Sequence, residues 1–242
     1  MRRKQKKKHP VRKFFLSLLV VFLCILSSFC AFFCVKGYRT YKEALTERSI
    51  NERVEEIRDL DGFTPYANLP QFYIDATISA EDHRFKSHFG IDLIAIGRAT
   101  LTDIKEMSFV QGGSTITQQL AKNMLFTQEK SLERKAAEVF AALELESQYT
   151  KEEIFELYAN TIYFGKGYYG IYQASVGYFG KEPLGLMDYE CAVLAGIPNA
   201  PSIYSPGEDN ELVARRTEFV LDSMVKNKMI TQKYADRLEI EQ

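Results

Sequence analysis

Residues 131–160 read SLERKAAEVFAALELESQYTKEEIFELYAN, and their spacing predicts two successive helices. Leu132, Ala136, Val139, Phe140 and Leu143 fall at i, i+4, i+7, i+8 and i+11, the one-face period of a 3.6-residue helix. Ser131 stands where an N-cap is needed for a helix running to about Tyr149. Thr150, with Glu153 three residues on, makes a capping box ahead of the second apolar run.

Outward from this stretch the same texture continues from about Leu60 to Ile230: helical segments broken by Gly, Pro and Asn, without the sustained alternation that strands require. Asp188 can cap ECAVLAG, which stops at Gly196 and Pro198; the segment from Arg215 to Lys228 repeats the pattern, and Thr231 can cap a last short helix. The fold class expected is mainly α. At 242 residues there is room for one sizeable core, and no internal repeat or low-complexity linker divides it.

The N-terminus differs from everything after it. Arg2, Arg3, Lys4, Lys6, Lys7, Lys8, Arg12 and Lys13 give the first thirteen residues eight positive charges and no acid, so a formal net charge of −1 for the chain conceals −9 for the rest. Then comes FFLSLLVVFLCILSSFCAFFCV, Phe14 to Val35, with no charge at all. At roughly 1.5 Å per residue this run matches a hydrocarbon core of about 30 Å. A cleavable leader would have a shorter apolar region and a small-residue cleavage site; here Lys36, Gly37 and Tyr38 follow directly. The expected organisation is a cytoplasmic basic tail (1–13), a transmembrane signal anchor (14–35), a membrane-proximal stalk (36–59) and an extracytoplasmic domain (60–242), oriented by the positive-inside rule. Cys24, Cys30 and Cys34 fall in the span and Cys191 in an apolar run of the outer domain, which leaves no intradomain disulfide and no cysteine metal cluster outside.

Four constellations carry chemistry. Glu81-Asp82-His83-Arg84-Phe85, followed by His88, Gly90 and Asp92, offers adjacent carboxylates and histidines at a helix exit, although EDH is also a common solvated helix end. The two histidines are spaced i, i+5, poorly placed for one metal on one helical face. Gly112-Gly113-Ser114-Thr115 leads into Ile116-Thr117-Gln118-Gln119-Leu120-Ala121-Lys122-Asn123. Ser114 can cap that helix, and Thr115, Gln119 and Lys122 then share a face suited to sugar hydroxyls and a phosphate; a capped helix with a polar surface would look the same. Arg134, Lys135 and Glu138 bring two cations within one turn of a carboxylate, a pattern that salt-bridged helix surfaces also show. Asn160 to Gly170 is an aromatic, glycine-rich bend whose tyrosines stack on sugars or pack cores.

Order and wording together say more than any one of these. EDHRFKSHFGID (81–92), GGSTITQQLAKN (112–123), RKAAE (134–138), ELYANTIYFG (156–165) and AVLAGIPNAPSIYSP (192–206) closely resemble the five successive motifs of the family 51 peptidoglycan glycosyltransferases, the transglycosylase domains of penicillin-binding proteins. The resemblance covers about residues 60 to 210. No serine-acylating transpeptidase motifs follow, so the pattern is most like a monofunctional biosynthetic enzyme.

The resemblance implies a lysozyme-like, mainly α domain with a mobile membrane-facing lobe, for which Leu93 to Phe109 is well placed. It implies polymerisation of lipid II into glycan strands with inversion and release of undecaprenyl pyrophosphate, with Glu81 as general base and Glu138 as the second carboxylate. Asp82, Phe85, His88, Ser114, Thr115, Gln118, Gln119, Lys122, Arg134 and Lys135 are the expected substrate-binding residues. No covalent cofactor is required; a divalent cation, Mg or Mn, is compatible with departure of the pyrophosphate, and no metal-binding pattern in the sequence decides it. Expected partners are lipid II, the growing strand, the bacterial cytoplasmic membrane, transpeptidases and division or elongation proteins, and not nucleic acid. Two rivals stand beside this reading: a lysozyme-like lytic enzyme, for which a pyrophosphate grip has no use, and a catalytically silent scaffold of the cell-wall machinery.

Overall fold

The structure, a computed structural model, describes residues 10–106, 113–127 and 131–240, without the side chains of 10–12 and 100–106. The basic residues Arg2 to Lys8, Gly112, positions 107–109 of the expected lobe and Gln242 lie outside the described residues.

The helices are α1 (Pro10–Glu47), α2 (Ile50–Arg58), α3 (Gln71–Glu81), α4 (Leu93–Glu106), α5 (Ile116–Leu125), α6 (Leu132–Gln148), α7 (Lys151–Thr161), α8 (Gly170–Phe179), α9 (Asp188–Gly196), α10 (Pro201–Tyr204), α11 (Asn210–Lys226) and α12 (Gln232–Ile240). Among the described residues β-structure is limited to one isolated bridge between Tyr163 and Tyr169. This is the mainly α class expected, and it suits the lysozyme-like fold that the resemblance implies. α1 contains one stretch long and apolar enough to cross a membrane, none of it buried in the protein.

Local chemistry sets the helix starts. Ser49 with Glu52, and Thr150 with Glu153, form reciprocal capping boxes, and Ser131 Oγ accepts the Arg134 N–H to begin α6. One expected cap and one expected helix start are displaced. Asp188 is the first residue of α9, not its cap: Met187 holds that position and its N–H donates to the Glu190 carboxylate. α11 begins at Asn210, ahead of Arg215, because Asp209 accepts the N–H groups of Glu211 and Leu212.

The face of α6 is also rotated from the expected one. Leu132 is 59% exposed, and the deepest stripe is Ala137, Glu138, Ala141, Ala142 and Leu145. Small side chains let α5 approach closely on that side. The expected stripe is half-buried instead, with Ala136 and Phe140 receiving α1: Phe140 meets Tyr38 edge-on at 5.3 Å and Tyr41 nearly parallel at 6.2 Å.

Residues 36–59 do not stand off as a stalk. Tyr41, Ile50, Val54 and Ile57 are buried in the same core as Tyr73 of α3, Leu120 of α5 and Phe155 of α7, so the packed unit starts well ahead of residue 60. α3, α9 and α11 pack on one another as the other half of that core.

The bend after α7 is structural. Buried Asn160 accepts the Thr64 N–H at 2.8 Å and donates to the carbonyls of Thr64 and Glu156, both at 2.8 Å. Gly165, with φ +83°, has no room for a Cβ against Ser205. The Tyr178 and Ser205 hydroxyls both donate to the Phe164 carbonyl. Asn160→Ala leaves both Thr64 backbone groups buried without partners, so we expect a loss of about 2–4 kcal/mol of stability, read as a matching fall in chemical-denaturation midpoint.

Candidate active site

α3 ends at Glu81 and the next residue turns the chain, which sends two neighbouring carboxylates to different work. Asp82 is 6% exposed. Both its oxygens face His88 Nε2, at 2.8 and 3.0 Å, and one accepts the N–H of Ile116, the first residue of α5, at 3.0 Å. A negative charge at a helix N-terminus is favourable, so Asp82 fastens the end of α3 to the start of α5. Thr115, not Ser114, is the α5 cap: its hydroxyl donates to the Gly90 carbonyl and accepts the Gln118 N–H, and the Gln118 side chain accepts the Thr115 N–H in return. Thr115 and Gln118 are both 2% exposed.

His88 and Gln118 therefore belong to the frame beneath the site, and Asp82 and Thr115, tied into the same frame, also line the recess beside Glu81. Phe85 lies deeper still, 1% exposed against Phe155 and His88, with the Lys151 ammonium 4.6 Å above its ring.

Glu81 faces the other way. Its Oε2 accepts from Gln119 Nε2 at 2.9 Å, one turn into α5. Its Oε1 accepts from Arg216 Nη2 of α11 at 3.1 Å, both side chains being nearly buried. Arg216 is itself fixed: Nε donates to the Gly196 carbonyl at 3.1 Å, and the guanidinium sits 4.7 Å from the Phe219 ring centre and 5.6 Å from that of Tyr204. Arg216 is not among the residues expected from the sequence. It lies 135 residues from its partner, and no local spacing connects them.

Glu138, in the deep stripe of α6, has a side chain 2% exposed and is ringed by cations. Lys135 Nζ lies 2.7 Å from Oε2 and also donates to the Ser114 hydroxyl at 2.6 Å. Arg134 Nε lies 3.2 Å from Oε1 as an ion pair, yet the alignment leaves both atoms without a hydrogen bond within the chain. The Arg134 Nη1 donates to the Thr127 carbonyl. Lys122, on the α5 turn after Gln119, is half-buried in the field of both Glu138 and Glu81. Of the expected binding residues, Gln119, Arg134 and Lys135 thus meet the two carboxylates directly, Ser114 is held by Lys135, and Lys122 lies in the field of both.

A recess of about 30 Å³, roughly the room of one water, opens between Glu81, His83, Gly113, Ser114 and Arg98 of α4. Burial lowers the His83 imidazole from its ordinary range, with Arg98 and Arg84 acting in the same direction. Asp92, held by Arg84, caps α4 through the Ala95 N–H at 2.7 Å. Phe89, Leu93 and Ile94, around that helix start, are 58%, 76% and 69% exposed. Among the described residues no group of three His, Cys, Asp or Glu is gathered to hold a metal ion.

A family model described as transglycosylase matches residues 48–225. Penicillin-binding protein 2D of Bacillus subtilis (strain 168) is 43% identical over 176 residues, 73% of this chain and 26% of that protein. Penicillin-binding protein 1A of Aquifex aeolicus is 44% identical over 163 residues, 67% of this chain and 22% of its own length. Penicillin-binding protein 1F of B. subtilis (strain 168) is 46% identical over 167 residues, 69% and 23% respectively. The chain spans about a quarter of the length of these relatives.

Burial holds the Lys122 ammonium below the usual lysine range, Arg134 and Lys135 add to the effect, and Glu138 and Glu81 oppose it. The folded state therefore binds fewer protons than the unfolded chain between that lowered value and the ordinary lysine value near 10.4, and stability rises with pH through that window. Below it, a charged Lys122 is a net burden on the fold. Lys122→Met should give a melting temperature at pH 7 equal to or above that of the parent. A drop of more than about 3 °C, on the order of 1 kcal/mol for a chain of this size, would contradict this.

Proposed function

The chain belongs to the transglycosylase family, and on that premise we propose that it polymerises a membrane-held, diphosphate-linked disaccharide precursor of peptidoglycan, lipid II, into glycan strands. The observation that carries the reading is the pairing of two differently held carboxylates around one lysine: Glu81 on Gln119 and Arg216, Glu138 on Lys135 and Arg134, with Lys122 in the field of both.

In this reaction the 4-hydroxyl oxygen of an acceptor sugar attacks the anomeric carbon of the donor, and the bond from that carbon to the lipid diphosphate breaks with its electron pair passing to the leaving oxygen. Inversion requires a base on one face and a stabilised leaving group on the other, the two-carboxylate logic of inverting glycosyl chemistry. Glu81 takes the proton of the attacking hydroxyl. Gln119 and Arg216 fix the carboxylate's direction, and fixing a base against its target removes orientational freedom from the barrier. Lys122, Arg134 and Lys135 receive charge as it builds on the diphosphate, the use that preorganised cations serve in transition states. Glu138 holds Arg134 and Lys135 in place before substrate arrives. Both carboxylates are committed to cations of the chain, so a divalent cation would accompany the diphosphate as part of the substrate, and no step depends on one here.

The apolar part of α1 serves as a single-pass anchor with the basic tail in the cytoplasm, and the exposed Phe89, Leu93 and Ile94 meet the outer lipid surface. Tethering keeps the enzyme at a substrate whose prenyl tail cannot leave the bilayer. Transpeptidases that cross-link the product are the partners this activity calls for.

Two measurements test the reading. Full-length protein in detergent, given purified lipid II, should yield a ladder of glycan strands, and Glu81→Gln should abolish it while keeping its fold. Shortening of preformed glycan instead would establish a lytic enzyme, and a folded wild type inactive on both substrates would establish a scaffold. Arg216→Gln should lower kcat by about 10–100-fold with KM changed less than about threefold, the signature of lost orientation of the base rather than lost binding. A change confined to KM would remove that role.

A further inference from the structure

The segment that joins the apolar run to the domain is neither a linker nor part of the matched family segment, which starts at residue 48. α1 is one unbroken helix from Pro10 to Glu47, and its last third lies along α6, the helix that carries Arg134, Lys135 and Glu138. Three contacts define the seat. Gly37 lies so close to α6 that a Cβ there would come within 2.8 Å of the Ala136 carbonyl carbon and 2.9 Å of the Ala137 nitrogen. Lys36, the first charge after the span, is ion-paired with Glu133. Tyr38 and buried Tyr41 clasp Phe140 from two sides.

We propose that this seat sets the depth of the active site: by fixing α6 to the first turns beyond the span, it holds Arg134 and Lys135, and Lys122 beside them, at the level of the lipid headgroups. The inference rests on the membrane reading given above. A helix has no hinge without Pro, a π-bulge or a comparable break, and α1 has none between Val35 and Tyr41. Lys36 therefore sits at the edge of the hydrocarbon. Its partner Glu133 adjoins Arg134, and Lys135 is about 3 Å further along the α6 axis at 1.5 Å per residue. A diphosphate fixed to a prenyl tail lies at that depth, so the cations need not descend into lipid nor the substrate rise out of it. The ion pair and the ring contacts hold the angle, and the glycine permits the closeness. Gly37 and Lys36 are thus positioning residues for the anion grip, acting through α6.

The sequence contains no tryptophan, so L132W, at the exposed first residue of α6 next to Glu133, is a single reporter of depth. Full-length protein in vesicles of lipids brominated at different acyl positions should show strongest quenching of L132W by bromines near the headgroup end. Four alanines inserted between Val35 and Lys36 keep the seat and its contacts but lengthen the helix by about 6 Å. The insertion should leave the melting temperature unchanged and weaken that quenching. It should also lower polymerisation of vesicle-embedded lipid II at least about tenfold, while sparing a short-tailed analogue in detergent, because depth has no meaning there. Gly37→Leu should unseat α1 and make the quenching shallow and heterogeneous. An L132W signal that brominated lipids do not touch, or one that the insertion leaves unchanged, overturns the proposal. Depth is read without turnover, so an inactive wild type would sink the functional reading while leaving the depth result to stand or fall by itself.

Discussion

Glu138 is buried in the alanine stripe of α6 with a side chain 2% exposed, and a lone carboxylate in such a place would forfeit several kcal/mol of hydration. The Arg134 and Lys135 cations, paired with it and already in position, make it tolerable. Arg134 and Lys135 come from the preceding turn of the same helix, and Lys122 comes from α5. The small side chains that let α5 approach α6 closely are therefore also what bring Lys122 into this group. Packing and electrostatics are here one constraint: α6 has to pack on α5 for Glu138 to come under the influence of Lys122.

The second carboxylate depends on a frame of a different kind. Asp82 ties the end of α3 to His88 and to the α5 N-terminus, and the Thr115 and Gln118 capping box fixes where α5 begins. With both ends set, Gln119 reaches Glu81 without adjustment. Arg216 closes the arrangement from α11, braced by the Gly196 carbonyl and the Tyr204 and Phe219 rings. Neighbouring residues Glu81 and Asp82 thus serve opposite ends, one open to chemistry and one spent on holding the fold, because the helix ends between them and the backbone turns.

Much of this was legible before any coordinates. The capping box at Thr150 and the cap at Ser131 are short-range hydrogen-bond patterns that depend on a few neighbouring residues, and they stand where the sequence puts them. What was not legible involves partners distant in sequence. Arg216 has meaning only when α11 folds beside α3. The α6 face was misjudged because a hydrophobicity pattern weights large side chains, while close helix approach selects alanine. Phe85, His88 and Gln118 were expected to line the pocket and instead form its frame, while Asp82 and Thr115 do both; the residue types that bind a ligand also cap helices and fill cores, and only burial separates the two uses. The stalk dissolved for a related reason. A charged, weakly amphipathic run reads as exposed, yet Tyr41, Ile50, Val54 and Ile57 suffice to seat it.

The same site shows why such a domain should carry its binding groups at some expense to stability. Lys122 is held below the ordinary lysine range by burial, and the Glu138 Oε1 and Arg134 Nε face each other without a completed hydrogen bond. On the proposed reaction, groups arranged this way would be better satisfied when an anion or a hydroxyl arrives, and the interaction would be reserved for the substrate and its transition state. A frame able to carry that burden has to be stable for other reasons. The dense core around Tyr73, Leu120, Phe155 and Tyr158, none of it exposed beyond 1%, supplies those reasons within reach of the Glu81 charge. The division of labour is one of role: apolar packing and caps carry the fold, and ion-paired charge, short of one hydrogen bond, forms the site, with α3, α5 and α6 contributing to both.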